Sequence, residues 1–568
     1  MKPVVVLLIF AFSVSAAPKV GQAEFDNLVD RYFEDYYHHN PTQGTSAGFH
    51  QYDMQLEDYA LATIATRIRS LQRFLAEFER FPAASLTPQT GPDRDLVIYS
   101  IRSQLLDLQN IRMWEKNPDK YSSGIAGSVF PIISRSFAPP SERLKSVIAR
   151  EQLAKRLLGQ ARANLRNPPR IYTEVAIEQL PGNIEFFKKD VPAAFQAVTD
   201  RALLDQFHES NQGVIDALGA YEKFLKADLL PRSKGDFRIG AENFSQKLLY
   251  DEMVDTPLDK ALEIGFQNLR QNQQALRETA AKIDARRPPH EILQDLQKDH
   301  PPADRLLQIF RDVLGGLRDF VVQHKIVTLP SMTLPVLEES PPFMRALTTA
   351  SMDTPRPYEK VATEAFFNVT LPERNWSPEK IEEHLESFNR GTIISTAVHE
   401  VYPGHYTQFL WVQNAPSKVR KLIGAHTNSE GWAHYTEQMM LDQGYGNGDL
   451  KLRLGQIQDA LLRNARYIVG VEMHTGKMTF EQGVDFFVKE GYQTRALGLI
   501  ETKRGTSDPT YLYYTLGKLE ILKLREDYRK ARGAGFSLID FHNQFLAQGF
   551  PPIKIIRRSM LGNDSPVL

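Results

Sequence analysis

The chain contains no cysteine among its 568 residues. A protein without cysteine forms no disulfide bond and has no thiolate nucleophile. It also has no cysteine to which a lipid anchor could be attached. Any zinc or iron site in this chain must therefore be built from other side chains, chiefly histidine and carboxylates.

An excess of charge of either sign is also missing. Lysine and arginine together number 68 and aspartate and glutamate 69, so the net charge is −1. A protein that binds nucleic acid normally carries a basic excess that can neutralise phosphates. We therefore expect no nucleic-acid partner.

Long apolar runs are absent except near the N-terminus. Residues 4–14 are apolar, follow a lysine at position 2, and lead into small residues. The run is too short for a membrane span and is typical of a signal peptide. We expect a leader at residues 1–16 and a mature chain of residues 17–568. That chain would be periplasmic or secreted, with no membrane span and no lipidated cysteine.

What the chain does contain is an unusual histidine pair in residues 397–405, AVHEVYPGH. His399 and His405 are six positions apart, and Glu400 follows the first directly. On an undistorted α-helix, side chains six positions apart point about 120° away from each other. Pro403 cannot donate a main-chain hydrogen bond, and Gly404 reaches dihedral angles that other residues avoid. We therefore expect the helix to open here and to bring both imidazoles to one metal ion.

A third ligand is expected from residues 427–441, TNSEGWAHYTEQMML. A catalytic zinc site needs three protein ligands and leaves one position for water. Glu430, His434 and Glu437 follow each other at steps of four and three, which places them on one stripe of a helix. Apolar residues occupy most other sides of this helix. The polar stripe is therefore expected to face an internal cleft.

Three segments together resemble a known family. They are the run from His399 to His405, Glu-Gly-Trp-Ala-x-Tyr-x-Glu at 430–437, and Tyr-x-x-Gly-Lys at 514–518. These segments are similar to motifs of the bacterial family called domain of unknown function 885. The N-terminal run DRYFEDYYHHNPTQGTSAGFHQYD and the chain length also fit, so the resemblance covers nearly the whole mature chain.

The resemblance implies a mostly helical zinc metallopeptidase. Its plan would be similar to that of angiotensin-converting enzyme and other gluzincins, whose third ligand is a downstream glutamate. Carried over to this chain, His399, His405 and Glu430 would bind Zn²⁺, and Glu400 would be the general base.

Further residues of these segments are candidates for supporting roles, as is Tyr511, which shares a predicted helix face with Tyr514 and Lys518. Buried tyrosines are usually packing residues, but the resemblance favours a catalytic role for Tyr514, whose hydroxyl could stabilise an oxyanion. His434, Glu437 and Tyr511 are candidates for orienting the ligands or contacting the substrate.

Helical periodicity dominates the rest of the chain, and no linker-like tract or internal repeat divides it. Between residues 325 and 376, β-branched and aromatic residues interrupted by prolines predict a few short strands. We expect a mainly α fold, one large helical body with a small β-sheet beside the zinc-site helix and a gluzincin-like cleft. Residues 24–325 would supply most of the cleft walls and residues 326–568 the metal-site half. The clearest helical periodicity lies in residues 25–37, 59–81, 141–164, 200–229 and 257–284.

The predicted strand over residues 362–370 lies just before the zinc-site helix. As an edge strand it could pair with an extended peptide through main-chain hydrogen bonds. The alternative is that the small sheet only supports the helix.

These patterns predict an exported zinc-dependent peptidase that hydrolyses short or unfolded peptides with a glutamate general base. One alternative is a carboxylate-bridged di-iron protein, but such sites favour Glu-x-x-His on paired helices. Here His434 precedes Glu437, which reverses that order. A second alternative is a secreted protein that binds metal or peptide without turnover, and a base at Glu400 argues against it.

We predict that the mature protein begins near Ala17, because the leader pattern ends in small residues suited to cleavage. The measurement is N-terminal sequencing or intact mass of protein recovered from the periplasm or the medium. Soluble cytoplasmic protein that retains Met1 would contradict the expected export.

Overall fold

The computed structural model describes residues 20–82, 85–87, 90–340, 345, 348–373, 376–566 and 568. The expected leader at residues 1–16 lies outside the described residues. Within them, helices dominate and the strands form one three-stranded sheet, so the mainly α prediction is confirmed. None of the described helices combines the length and the apolar character needed to cross a bilayer.

The described part of the first half is built from helices. The helices predicted from periodicity correspond to α1, α3, α7, α9 and α12, with ends within a few residues of those expected, except that α9 gives way to a π-helical turn at Leu225–Leu229. The helices are α1 (Val20–His39), α2 (Pro41–Ala47), α3 (Leu61–Arg80), α4 (Gly91–Leu106), α5 (Met113–Lys116), α6 (Asp119–Ser134), α7 (Pro140–Asn164), α8 (Arg170–Ala194), α9 (Arg201–Phe224), α10 (Leu230–Arg232), α11 (Gly240–Glu252), α12 (Leu258–Ile283), α13 (Pro289–Gln297) and α14 (Leu306–Gln323).

A small sheet begins the second half. Strand β1 (Val336–Glu339) pairs in parallel with β3 (Phe366–Val369), and β2 (Ala350–Asp353) pairs antiparallel with the other side of β3. The prediction of an edge strand over residues 362–370 is therefore wrong, because β3 is the central strand. Both of its main-chain edges are used by its neighbours, and Phe367 is fully buried against Phe310 of α14.

The helices after the sheet carry all the predicted metal ligands. Many of them, including the helices of His399, His405 and Glu430, share one apolar core with the sheet and α14. The helices after the sheet are α15 (Pro378–Glu386), α16 (Arg390–Glu400), α17 (His405–Val412), α18 (Lys418–Leu422), α19 (His426–Asp442), α20 (Leu450–His474), α21 (Phe480–Lys489), α22 (Arg495–Ser507), α23 (Tyr513–Arg532), α24 (Leu538–Leu546) and α25 (Ile553–Leu561).

The first half of the chain holds the start of α19. This helix begins at His426 without a side-chain cap from the residue before it. Glu252, the last residue of α11, accepts hydrogen bonds from the backbone N–H groups of His426 at 3.1 Å and Thr427 at 2.8 Å. The Thr427 hydroxyl donates to the same carboxylate at 2.6 Å. A carboxylate at a helix N-terminus satisfies unpaired donors and interacts favourably with the helix dipole.

Two glycines allow α19 and α23 to touch. A Cβ on Gly431 of α19 would lie 2.6 Å from the backbone of Gly517 on α23. A Cβ on Gly517 would lie 1.9 Å from the carbonyl oxygen of Thr427. No side chain larger than hydrogen fits at either position. The glycines of the Glu-Gly-Trp and Gly-Lys segments therefore set the distance between the helix of Glu430 and the helix of Tyr514.

We predict that Gly517→Ala destabilises the protein, because the added methyl group must push the two helices apart. Overpacking of this kind costs about 1–3 kcal/mol of unfolding free energy. The matched control is Gly315→Ala in α14, where an added Cβ meets nothing within 4 Å. There alanine should stabilise the helix by up to about 1 kcal/mol. Chemical denaturation measures both changes, and equal effects would contradict the close contact.

Candidate metal centre and active site

The two histidines lie on either side of a helix break. Helix α16 ends at Glu400, the Tyr402–Pro403 peptide is cis, and α17 begins at His405. The Gly404 N–H donates to the carbonyl of Val398 at 3.0 Å. A Cβ on Gly404 would lie 1.8 Å from the carbonyl oxygen of His399, so only glycine fits this turn. The chain thus forms two helices where the sequence predicted an opened turn, and the imidazole rings come within 4.8 Å, centre to centre.

Three predicted ligands converge at this break. Glu430 Oε2 lies 3.4 Å from His399 Nε2 and 3.3 Å from His405 Nε2. One ligand atom from each residue can be chosen so that all three lie within 4.8 Å of one another. In a tetrahedral zinc site with bonds of about 2.0–2.2 Å, neighbouring ligand atoms lie about 3.3–3.5 Å apart. The residues present therefore fit a single metal ion.

The electrostatics of the three ligands also suit a cation. Glu430 Oε2 is buried and has no hydrogen-bond partner among the described residues. Burial opposes ionisation of Glu430, but the neighbouring His405 and His399 outweigh it and hold the pKa of its carboxyl well below the usual range. An ionised carboxylate oxygen that faces two imidazole nitrogens without a hydrogen bond of its own is suited to metal coordination.

Glu437 contacts the ring nitrogen of His399 that does not face Glu430. Its Oε1 lies 2.7 Å from His399 Nδ1 and 3.0 Å from Arg463 Nη2. With Nδ1 donating to this carboxylate, Nε2 of His399 is left as the free ligand atom. Burial opposes ionisation of Glu437, but Arg463, His434 and His399 outweigh it and keep its pKa well below the usual range. Glu437 therefore fixes the orientation of the His399 ring and does not join the candidate ligand cluster.

His434 supports Glu437 from the far side. Its Nδ1 lies 3.0 Å from Glu437 Oε2, and its side chain is almost fully buried. Burial and the nearby Lys518 lower the pKa of His434 to about 3, although Glu437 opposes this shift. His434 is therefore neutral and lies away from the ligand cluster, which fits an orienting role and not a contact with substrate.

Glu400 lies between the ligands and the sheet. Its Oε2 accepts a hydrogen bond from the backbone N–H of Met352 on β2 at 3.1 Å. Burial raises the pKa of Glu400, and Glu430 adds to this rise, while His399 and His405 oppose it. A carboxyl group whose pKa is raised towards neutrality is suited to accept and return a proton.

Tyr514 lies beside His399 and is contacted by the side chains of Arg466 and Arg504. Its ring stacks on that of His399 with the centres 6.4 Å apart, and the Arg466 guanidinium lies 4.9 Å from its ring centre. Arg504 Nη2 donates to the Tyr514 hydroxyl at 3.4 Å. Burial and Glu430 raise the pKa of Tyr514, while Arg504 and Arg466 oppose this. The hydroxyl is therefore protonated, and its hydrogen is free to be donated elsewhere.

Tyr511 is not brought to the site. It is fully buried, and its ring fills the space left by Gly470 and Gly505, where an added Cβ would clash with it. Its hydroxyl donates weakly to the carbonyl of Glu501 at 3.5 Å. In this conformation Tyr511 is a packing residue that neither orients a ligand nor reaches a substrate.

Sequence reasoning missed the residues that surround these groups. Arg463 and Arg466 lie three positions apart on α20, and Arg504 lies on α22. Two arginines at helical spacing among the many apolar residues of α20 are a signal from which a buried ionic network could have been predicted. Met352 carried no such signal, because it acts through its backbone N–H, which every residue except proline has.

Comparisons with known proteins agree on the fold. A family model described as a bacterial protein of unknown function (DUF885) matches residues 41–560. A protein of unknown function from Shewanella oneidensis, described as a candidate lipoprotein, has a TM-score of 0.79 at 28% identity, over 94% of this chain and 99% of that chain. A candidate lipoprotein from Colwellia psychrerythraea has a TM-score of 0.81 at 16% identity, over 95% and 98%, a likeness that concerns the fold alone. Among curated proteins there is no match.

Proposed function

Since the chain belongs to the DUF885 family of bacterial proteins, whose function is unknown, we propose its function from the site itself. We propose that the protein is a zinc-dependent peptidase that hydrolyses short or unfolded peptides. The observation that carries this proposal is the convergence of His399, His405 and Glu430 with Glu400 directly beside them. A metal-binding module without turnover has no need of a carboxylate base next to its ligands.

His399, His405 and Glu430 would hold the zinc ion. When bound, zinc supplies Lewis acidity that activates a water molecule and polarises the scissile carbonyl. Glu400 would accept the proton of the attacking water and return it to the leaving amine. The hydrogen bond from Met352 holds one carboxylate oxygen of Glu400 and leaves the other free for this transfer. Tyr514, whose hydroxyl oxygen accepts from Arg504, would donate a hydrogen bond to the developing oxyanion.

The β2 edge supports a peptide as the substrate. Thr370 N donates to Thr349 O at 2.9 Å, so the alternation of an antiparallel pair turns the main-chain groups of Ala350 and Met352 away from β3. Met352 N already donates to Glu400 on that side. An extended peptide that pairs with the outer edge of β2 would pass directly over the base. This edge takes the place of the one predicted at residues 362–370.

A carboxylate-bridged di-iron centre is less well supported. Such a centre needs several carboxylates that face two ions. Glu437, the second carboxylate of α19, is bonded to His399, His434 and Arg463. A guanidinium in contact with this carboxylate would repel a second metal ion. The residues around Glu430 therefore favour a mononuclear site.

We further propose that the protein acts outside the cytoplasm, in the periplasm or the surrounding medium. The support is the leader pattern of the N-terminal residues and the description of two solved relatives as candidate lipoproteins. A peptidase in that compartment would meet peptides and unfolded chains and not the folded proteins of the cytoplasm.

We predict that the purified protein binds about one zinc ion per chain and that His405→Ala and Glu430→Ala lose it. Glu437→Gln should weaken zinc binding by about 10–100-fold, because Glu437 orients a ligand without touching the ion. The measurement is metal content per chain after dialysis against a graded chelator. The control is His324→Ala, an exposed histidine stacked on Phe320. Full occupancy in Glu430→Ala would move the third-ligand role elsewhere.

We also predict that Glu400→Gln keeps zinc and fold but loses most turnover, because an amide cannot accept the proton of water. Tyr514→Phe should lower turnover by about a hundredfold if its hydroxyl meets the oxyanion. Tyr511→Phe is the matched control, since it removes a buried hydroxyl away from the ligands.

The measurement is hydrolysis of a mixed peptide library, with cleavage sites read by mass. A native globular protein and its own tryptic peptides, compared at equal mass, test the preference for short or unfolded chains. Wild-type rates in Glu400→Gln would exclude this mechanism. Peptide binding by the zinc-loaded wild type without any hydrolysis would favour the binding-protein alternative.

A further inference from the structure

A cavity of about 230 Å³ lies next to Glu400. Its walls come from both halves of the chain and include His50, Arg135, Met352 and Arg356. Met352, one of the residues that line this cavity, donates its backbone N–H to Glu400. A substrate bound over the base therefore has this cavity within reach.

One pair of charged groups in the cavity wall is internally compensated. Arg135 Nη2 lies 2.7 Å from Asp353 Oδ1, and both side chains are mostly buried. Arg135 Nη1 also donates to the carbonyl oxygens of Ala362 and Glu364, at 3.3 and 2.9 Å. The charge of this guanidinium is therefore compensated by Asp353, although its Nη2 makes no hydrogen bond within the described residues.

His50 and Glu359 form a second compensated group. His50 Nε2 lies 3.0 Å from Glu359 Oε2, and its Nδ1 lies 3.0 Å from Asp53 Oδ2. Burial opposes protonation of His50, but its hydrogen bonds to Asp53 and Glu359 outweigh burial and raise its pKa. Glu359 also accepts from the N–H groups of Val361 and Ala362. The charges of His50 and Glu359 therefore compensate each other and are not available to bind a ligand.

Arg356 is the cavity's uncompensated cation. Its side chain is exposed to the cleft, and within the part of the chain that the structure describes its guanidinium makes no ion pair and no hydrogen bond. The centre of the Phe409 ring lies 5.9 Å from this guanidinium. Desolvation within the cleft lowers the pKa of Arg356. The charge of Asp353 opposes this shift, and the charge of Arg135 adds to it. The arginine remains charged, with less water around it than a surface arginine has.

Two hydroxyl groups in the same wall also lack partners. Ser134 Oγ and Ser351 Oγ are buried, line the cavity, and have no hydrogen-bond partner among the described residues. Buried polar atoms are normally hydrogen-bonded. In a cavity that is also lined by the Arg356 guanidinium, these hydroxyls could donate to an anionic oxygen ligand once they turn towards it.

We propose that this cavity binds a carboxylate of the substrate, with Arg356 as the recognising cation and Ser134 and Ser351 as supporting donors. The proposal rests on the proposed peptidase function and names the chemistry of its substrate. A guanidinium matches the two oxygens of a carboxylate with paired N–H donors, which a point charge does not. The enzyme would thus select peptides that carry an acidic group at one position.

The position of Arg356 limits where that acidic group lies. The Arg356 guanidinium is 5.9 Å from the Phe409 ring centre, which is 6.1 Å from that of His405. Taken end to end, these distances place Arg356 no more than about 12 Å from a metal ligand. An extended peptide advances about 3.3–3.6 Å per residue. The carboxylate therefore lies within about three residues of the scissile bond, on a side chain or at the chain terminus.

The test uses the zinc-loaded full chain and a matched peptide series. Each peptide carries Glu or Gln at one of three positions on either side of the scissile bond, with a free or an amidated C-terminus. The enzymes are wild type, Arg356→Gln and the control Arg286→Gln, whose arginine side chain is 91% exposed on the surface. The measurement is kcat and KM for every pair.

We expect the wild type to favour one acidic position through a lower KM. Arg356→Gln should raise KM for that peptide by about tenfold to a hundredfold, with kcat nearly unchanged and neutral peptides unaffected. Loss of the preference on amidation identifies the chain terminus as its source, and loss on Glu-to-Gln exchange identifies a side chain. Equal use of acidic and neutral peptides by the wild type, or an equal effect of Arg356→Gln on both, overturns the inference.

Binding of the same peptides to Glu400→Gln, measured by calorimetry, separates this inference from the proposed function. Binding that depends on the acidic group and on Arg356, together with no hydrolysis by the wild type, would reject the peptidase and retain the carboxylate site. Hydrolysis that ignores the acidic group would retain the peptidase and reject the site.

Discussion

The candidate metal centre depends on the buried carboxylate of Glu437, which contacts His399, His434 and Arg463 at once. A buried charge is tolerated only where it is paired and hydrogen-bonded, and removal of one partner of such a pair typically costs about 3–5 kcal/mol. Glu437 meets that condition with groups from α16, its own helix α19, and α20. The same contacts that compensate its charge fix the orientation of a metal ligand, so local stability and ligand geometry cannot vary independently.

The edge of β2 connects the two parts of the proposed active site. On this strand the backbone N–H of Met352 holds the base, and the same residue lines the cavity that contains Arg356. The cavity's walls also include residues of helices near the N-terminus, so both halves of the chain shape the space in which Arg356 would select the substrate. Sequence changes in the N-terminal helices could then alter which peptides bind without disturbing the ligands.

Much of the fold and of the ligand cluster was predictable from sequence, because the signals were local. Helical periodicity located the long helices, and the proline and glycine at positions 403 and 404 indicated that the helix must open beside His399. The strand over residues 362–370 was wrongly predicted to be an edge strand. Its composition indicates a strand but does not indicate which strands pair with it. Tyr511 was expected near the site because helical spacing placed it on one face with Tyr514, but it precedes α23 and turns into the core.

The hydrogen bonds that Glu252 accepts limit how the second half of the chain could be transferred to another protein by recombination. The half that follows residue 325 contains all three candidate ligands, the base and Tyr514, and so looks like a portable catalytic module. Yet its helix α19 begins with two backbone N–H groups and a hydroxyl whose acceptor, Glu252, belongs to the other half. Separated from that half, the helix would start with unsatisfied donors beneath a newly exposed apolar surface. Recombination between genes would therefore have to pass on the half that carries the candidate site together with the helix that supplies Glu252.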